Sequence, residues 1–196
     1  MKKIYIAIAA LTLTFAACNK KADEAKETAT IEEVQPETET TVPTEEVATD
    51  DTVFAPRALS QEFLSADGTT TTLQQIVEKH KGHAIVIDVW ASWCPDCIKA
   101  LPTMKEIKKE FTTVAFVNLS LDKTQEAWKE SIAKHEIGGE HYFSTEGKGM
   151  KGDFGKALKL NWIPRYIVVD KEGKIALFNA TEKNFDEIKD LLKKIQ

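Results

Sequence analysis

The spacing of apolar residues changes period several times between residues 53 and 196, and each change marks an element. Phe63 and Leu64 precede Ala66-Asp67-Gly68, a strong turn signal, and threonines at 69–72 follow, which predicts a hairpin opening the folded part. Leu73, Ile76 and Val77 then have helical spacing, and Gly82 ends that short helix. Residues 84–90 are apolar except for Asp88 and have the length of a buried strand. A helix is predicted over 95–111, with Ile98, Leu101, Met104, Ile107 and Phe111 on one face and a kink at Pro102. Residues 114–121 read as a buried strand, 124–134 as a helix with Trp128 and Ile132 inward, and 150–160 as a shorter helical piece. Strands over 164–170 and 175–179 are joined by Lys171-Glu172-Gly173-Lys174 as a hairpin, and Asn184 is expected to cap a last helix through Ile195. Strands alternating with helices predict an α/β fold, a central mixed β-sheet flanked by helices on both faces.

Candidate chemistry sits where the strand at 84–90 gives way to the helix at 95. Cys94 and Cys97 are three positions apart, so a disulfide between them spans one helical turn. Closing so short a loop removes only about 2 kcal/mol of unfolded-state entropy, against about 3 for a fifteen-residue loop, so stabilisation is a poor reason for the pair. Thiol exchange is a better one. An ordinary cysteine is only about 3% ionised at pH 7, and a helix start supplies unpaired N–H groups and the positive end of the dipole to a thiolate placed there. Pro95 suits the first helical position, where its missing N–H is not needed. Cys94 is therefore expected to be the nucleophile, and Cys97, one turn deeper, to resolve the mixed disulfide. Asp96 adds negative charge between them, which argues for a reducing rather than an oxidising poise, although the helix start also favours Asp96 itself. Trp93 is expected at the rim of this site and Trp90 in the core, whereas Trp162 reads equally as groove wall or packing.

Residues 87–97, Ile-Asp-Val-Trp-Ala-Ser-Trp-Cys-Pro-Asp-Cys, resemble the thioredoxin superfamily in its strand, turn and helix-start pattern. Pro102, five residues beyond the second cysteine, and Ile163-Pro164, ahead of an apolar strand, fit that family's two conserved prolines. The likeness runs from about residue 62 to the C-terminus. The entry segment and the Trp-Ala-x-Trp-Cys element look most like the membrane-tethered TlpA/ResA branch. The resemblance implies a thioredoxin fold with an N-terminal hairpin extension and a redox-active disulfide between Cys94 and Cys97. It makes Asp88 a buried carboxylate moving a proton to or from Cys97, burial raising its pKa toward that task. It makes Pro164 cis, with Ile163 offering its backbone to an extended substrate segment. Arg165 stands where relatives often carry Thr, so substrate preference is expected to differ, a solvated charge being the equal alternative.

The first 52 residues change the setting. Lys2-Lys3, an apolar run over 4–13 and small residues at Ala16-Ala17 make residues 1–17 a signal peptide, too short in its apolar part to span a bilayer. Phe15-Ala16-Ala17-Cys18 resembles a bacterial lipoprotein cleavage box, which would make Cys18 the lipidated N-terminus. Residues 19–52 contain 11 acidic and 3 basic residues and no aromatic, so residues 18–52 are expected to be the lipidated cysteine and a disordered acidic tether. The remaining domain, 53–196, has 21 basic and 20 acidic residues and no basic stripe, which argues against nucleic acid. A lipid anchor implies the extracytoplasmic side of the bacterial envelope, the periplasm or an outer face, where a disulfide can persist.

The expected function is thiol-disulfide exchange with protein disulfide or dithiol substrates. No nicotinamide or flavin motif is present, so no cofactor is expected, and the resemblance supplies electrons from a membrane-embedded donor, with cytochrome c maturation as one plausible pathway. A copper chaperone on the same fold is the non-enzymatic alternative, since two thiolates suit Cu(I), although such relatives space their cysteines more widely. A zinc site lacks a second cysteine pair, and the peroxiredoxin element fails because Ile87 and Ala91 stand at its Pro and Thr positions. Residues 147–155, glycine-rich but without a Lys-Ser/Thr ending, read as a mobile loop, and His80, His83, His135 and His141 as mostly surface or loop residues.

Overall fold

A computed structural model describes residues 51–196. The signal peptide, Cys18 and nearly all of the acidic tether lie outside the described residues.

The domain begins with a short helix α1 (Pro56–Leu59), followed by β1 (Glu62–Ser65), β2 (Thr70–Thr72) and α2 (Leu73–Lys79). β1 and β2 pair antiparallel around the Asp67-Gly68 turn, in which Gly68 has φ +91 and the Asp67 carboxylate accepts from the Thr69 N–H at 2.9 Å. Thr72 starts α2 with a capping box, its hydroxyl accepting from Gln75 N while the Gln75 side chain accepts from Thr72 N.

The central part follows as β3 (Ile85–Trp90), α3 (Pro95–Glu110), β4 (Ala115–Ser120), α4 (Gln125–His135) and β5 (Glu140–Ser144). A 3-10 turn over Gly149–Lys151 leads into α5 (Asp153–Ala157), and β6 (Arg165–Val169), β7 (Ile175–Ala180) and α6 (Phe185–Ile195) complete the chain. All seven strands form one sheet in the order β2-β1-β5-β4-β3-β6-β7. β3, β4 and β5 run parallel, and β6 lies antiparallel to β3, so the sheet is mixed as its sequence pattern predicts.

β3 is the centre of the molecule because every one of its residues is buried. Ile85, Ile87 and Val89 face a core that also contains Phe63, Leu73, Trp128, Phe154 and both cysteines. Val86 belongs to the opposite core with Met104, Ile107, Tyr166, Ile188 and Leu192, so the strand period places Asp88 on that side. Burying apolar side chains on both faces at roughly 25 cal/mol per Å2 is what fixes this strand and, with it, the loop that follows.

Two expectations are corrected. Residues 147–155 do not form a mobile loop: Phe154 is fully buried edge-on to Phe63, with ring centres 4.9 Å apart. A Cβ on Gly155 would lie 2.1 Å from Met150 O, so glycine is required for that close packing. Asn184 is the N-cap residue of α6 as expected, but its side chain makes no capping hydrogen bond to that helix. Thr181 caps a 3-10 turn over Glu182–Asn184 instead, and Asn184 Oδ1 accepts back from the Thr181 N–H. Of the four histidines, His141 alone lies in a strand, β5, with Nε2 2.7 Å from Ile137 O. β5 itself was not foreseen. Gly139 makes it reachable, because at φ +97 its missing Cβ leaves room for Phe116 O and the Asn118 side chain.

Candidate active site

Cys94 ends the loop after β3 and is the N-cap of α3. Its sulfur accepts from the Cys97 N–H at 3.3 Å, Pro95 occupies the first helical position, and Ile98 N donates to Cys94 O at 3.2 Å. Both cysteines are thiols in this structure, and both are nearly buried, with 6% and 3% of their surface exposed. Facing them is the Ile163–Pro164 peptide bond, which is cis, and Cys94 Sγ donates to Ile163 O at 3.4 Å. A loop after β3 and a loop before β6 thus meet sulfur to carbonyl.

Trp93 and Trp162 lie on these two loops, each about half-exposed, next to Cys94 and to Ile163. Large apolar side chains left in water beside a reactive group are the usual mark of a contact surface. Trp90 is buried in the core.

Asp88 is buried on the side of β3 that packs against Met104 and Ile107 of α3, close enough to Cys97 at the start of that helix for its charge to act on the thiol. Desolvation raises its pKa from an ordinary 3.8 to about 7, against the opposing pull of the Lys108 ammonium. Among the described residues its Oδ1 has no hydrogen-bond partner. Burial also pushes the Cys97 thiol strongly upward, reinforced by its hydrogen bond with Cys94 and by the Asp88 charge. Cys97 therefore keeps its proton until something takes it, and Asp88 is a carboxyl that can take or return one near neutral pH. Tyr166, opposite Asp88 on β6, is likewise raised by burial and by the same carboxylate.

Two sets of residues around the site escaped the sequence reading. Lys108, on α3, donates to Asn118 Oδ1 at 3.1 Å and to Gly138 O at 2.6 Å, which holds its cation within electrostatic reach of Asp88, and burial lowers its own pKa. Asn118 in the middle of an apolar strand was the available signal, since a buried amide demands partners. The second set is Asp122, only 1% exposed, whose carboxylate accepts from Ser92 N, Ser92 Oγ and Ser120 Oγ at 3.0, 2.7 and 2.8 Å. It ties the residues just before Cys94 to the end of β4. Its signal was an acid two residues beyond a buried parallel strand, at the carboxyl ends where open α/β sheets carry their sites.

Asp96 does not act as an isolated anion, because Lys99 Nζ stands 3.7 Å from its carboxylate. Arg165 is not solvated but 4% exposed, with Nη1 donating to Asn179 Oδ1 at 2.6 Å and Nη2 to Asn161 Oδ1 at 2.9 Å. Among the described residues no group of three or more His, Cys, Asp or Glu side chains is placed to hold a metal ion.

A dithiol at the N-terminus of the helix after a central strand, faced by a cis-proline loop and within electrostatic reach of a buried carboxyl, defines a thioredoxin-fold protein of the Cys-x-x-Cys class. Residues 82–175 match the thioredoxin-like family profile. A Bacteroides vulgatus protein described as a thiol-disulfide oxidoreductase is 30% identical, with 74% of this chain aligned to 95% of that one at a TM-score of 0.57. The chain belongs to the thioredoxin-like family. Among curated proteins it is similar to the thiol-disulfide oxidoreductase ResA of Bacillus thuringiensis, 26% identical over 59% of this chain and 65% of that protein. It is also similar to the thiol:disulfide interchange protein DsbE of Pasteurella multocida, 25% identical over 66% of this chain and 72% of that one. The chain thus spans somewhat less than two thirds of the length of the ResA relatives.

Proposed function

We propose that this protein is a thiol-disulfide oxidoreductase of the bacterial cell envelope that works in the reducing direction on protein disulfides. The observation that carries the reading is the pairing of a helix-capping Cys94 with a Cys97 whose thiol is held protonated beside a carboxyl of pKa about 7. The Cys94 thiolate attacks one sulfur of a substrate disulfide, and the other sulfur leaves as a thiolate and takes up a proton. Asp88, ionised, accepts the Cys97 proton, and Cys97 attacks the Cys94 sulfur of the mixed disulfide. The second substrate thiol is released, two electrons have passed to the substrate, and a Cys94–Cys97 disulfide remains. An external dithiol must reduce it again, for which a membrane-embedded donor is the natural source. The names of the ResA and DsbE relatives support the reaction class.

Equilibrating the full chain with glutathione buffers tests both class and direction. A reversible two-electron transition is expected with a midpoint below about −200 mV, whereas a midpoint near −120 mV, that of strong disulfide donors, would reverse the proposed direction. No transition at all would remove the function.

Location rests on residues 1–52. We read residues 1–17 as a lipoprotein signal, Cys18 as the lipidated residue and 18–52 as a tether carrying the domain of 53–196, with cytochrome c maturation as one setting for such a reductase. Labelled palmitate should enter the chain in a bacterial host and be lost in Cys18→Ser. Label retained in that variant would exclude anchoring through Cys18. Among the described residues no helix is long and apolar enough to cross a membrane.

A further inference from the structure

Arg165 poses a chemical question that thiol exchange alone leaves unanswered. It opens β6 immediately after Pro164 and is only 4% exposed, yet the two groups that grip it, Asn161 and Asn179, are neutral amides. A guanidinium has five N–H donors, of which these amides take two, and among the described residues Nε is buried without a partner. Amide oxygens orient the fork but do not neutralise it, and a buried cation that no carboxylate among the described residues pairs with is expensive. The desolvation is felt as a lowered pKa.

This side chain lines a cavity of about 550 Å3 shared with Lys159, Asn161, Trp162 and Thr181. Asp51, also on its edge, stands 3.8 Å from Lys159, and both are more than half exposed, so that anion is engaged at the rim. Trp162 supplies a half-exposed ring between this cleft and Ile163, whose carbonyl meets Cys94 Sγ. Arg165 lies two residues beyond Ile163, which along an extended chain is about 7 Å. A polypeptide lying beside Ile163 with its cysteine on Cys94 would bring a side chain about two residues away over the cleft.

We propose that this cleft is a specificity subsite in which Arg165 receives a carboxylate of the substrate polypeptide, an Asp or Glu close to the cysteine that engages Cys94. The inference rests on the oxidoreductase reading and names its substrate class: acidic segments flanking a disulfide. Arginine suits the task because its planar fork is held by two amides on Nη1 and Nη2, each of which keeps a second N–H that a carboxylate entering the cleft can meet. The neutral grip is what leaves the charge available.

The test uses the reduced full-length chain and two synthetic peptides, each carrying one cysteine as a mixed disulfide with neutral 2-thiopyridine and differing only in Glu or Gln two residues from that cysteine. Attack by Cys94 on the peptide sulfur releases pyridine-2-thione, which is followed by absorbance. The Glu peptide is expected to react about tenfold faster in the second-order rate constant of this single turnover, the scale of one charge-assisted contact. The ratio should fall to about one in Arg165→Gln. It should also fall in Asn179→Asp, which gives the guanidinium a carboxylate of its own and keeps the result readable if Arg165→Gln fails to fold. Equal rates for the two peptides in the unmodified chain, or a preference that survives Asn179→Asp, would overturn the subsite. If neither peptide reacts, the oxidoreductase reading fails instead, and the subsite is then decided by calorimetric binding of the same peptides with Ser in place of Cys. Tighter binding of the Glu form supports it, and equal or absent binding refutes it.

Discussion

Replacing Cys94 with serine is expected to lower the reduction of insulin disulfides to the rate of dithiothreitol alone, a loss of more than about a thousandfold, because a hydroxyl in that place supplies essentially no nucleophile at neutral pH. Cys97→Ser should behave differently. Its Cys94 still attacks, but nothing resolves the product, so substrates accumulate as mixed disulfides visible on non-reducing gels and by mass. The asymmetry follows from position: Cys94 caps the helix and faces the cis-proline loop, whereas Cys97 is one turn inside with its thiol pushed up by burial. Trapping on Cys97 in Cys94→Ser, with none on Cys94 in Cys97→Ser, would invert the assigned roles.

The second large effect concerns stability. Asp88 titrates at an ordinary 3.8 when exposed and at about 7 when buried in the folded protein, so the folded state binds the proton more tightly. Its contribution to stability is fully present below about pH 4 and is lost as pH rises through 7, where the carboxyl must ionise in the core. The difference between the two values is worth about 4 kcal/mol. Asp88→Asn should therefore exceed the unmodified protein by only about 1.6 kcal/mol at pH 5 and by up to about 4 kcal/mol above pH 8, measured by urea unfolding at the two pH values. Lys108 loses its anionic neighbour in the variant, which makes that figure an upper bound. The same substitution should slow release of the mixed disulfide by about a hundredfold, as expected when a general base is removed. A variant no more stable at pH 8 than at pH 5, relative to the unmodified chain, would mean that Asp88 is ionised at little cost.

These residues also show how far the chain could be read without coordinates. β3 and α3 were legible because one is an unbroken apolar stretch and the other carries its apolar face at helical spacing, and the Cys-Pro-x-Cys element lies at their junction. β5 was not, because Glu140 and His141 open it with polar side chains that answer distant partners: Glu140 accepts from Lys79 and Tyr142, and His141 meets Ile137 O. Pattern reports burial along one element and is blind to contacts between elements. The same blindness hid Lys108 and Asp122, which matter only because α3 and β4 bring them to the site, and it made Arg165 ambiguous, since nothing local says that an arginine after a proline will be enclosed by two asparagines.

The hydrogen bond from Cys94 to the Ile163 carbonyl has a timing consequence. Only the protonated sulfur can donate it. Once the proton leaves, an anion faces a carbonyl oxygen and the two repel, so the backbone acceptor at Ile163 is freed at the moment the sulfur becomes reactive. Under the proposed function, the ionisation that arms the attack would also open the Ile163 carbonyl to an arriving chain.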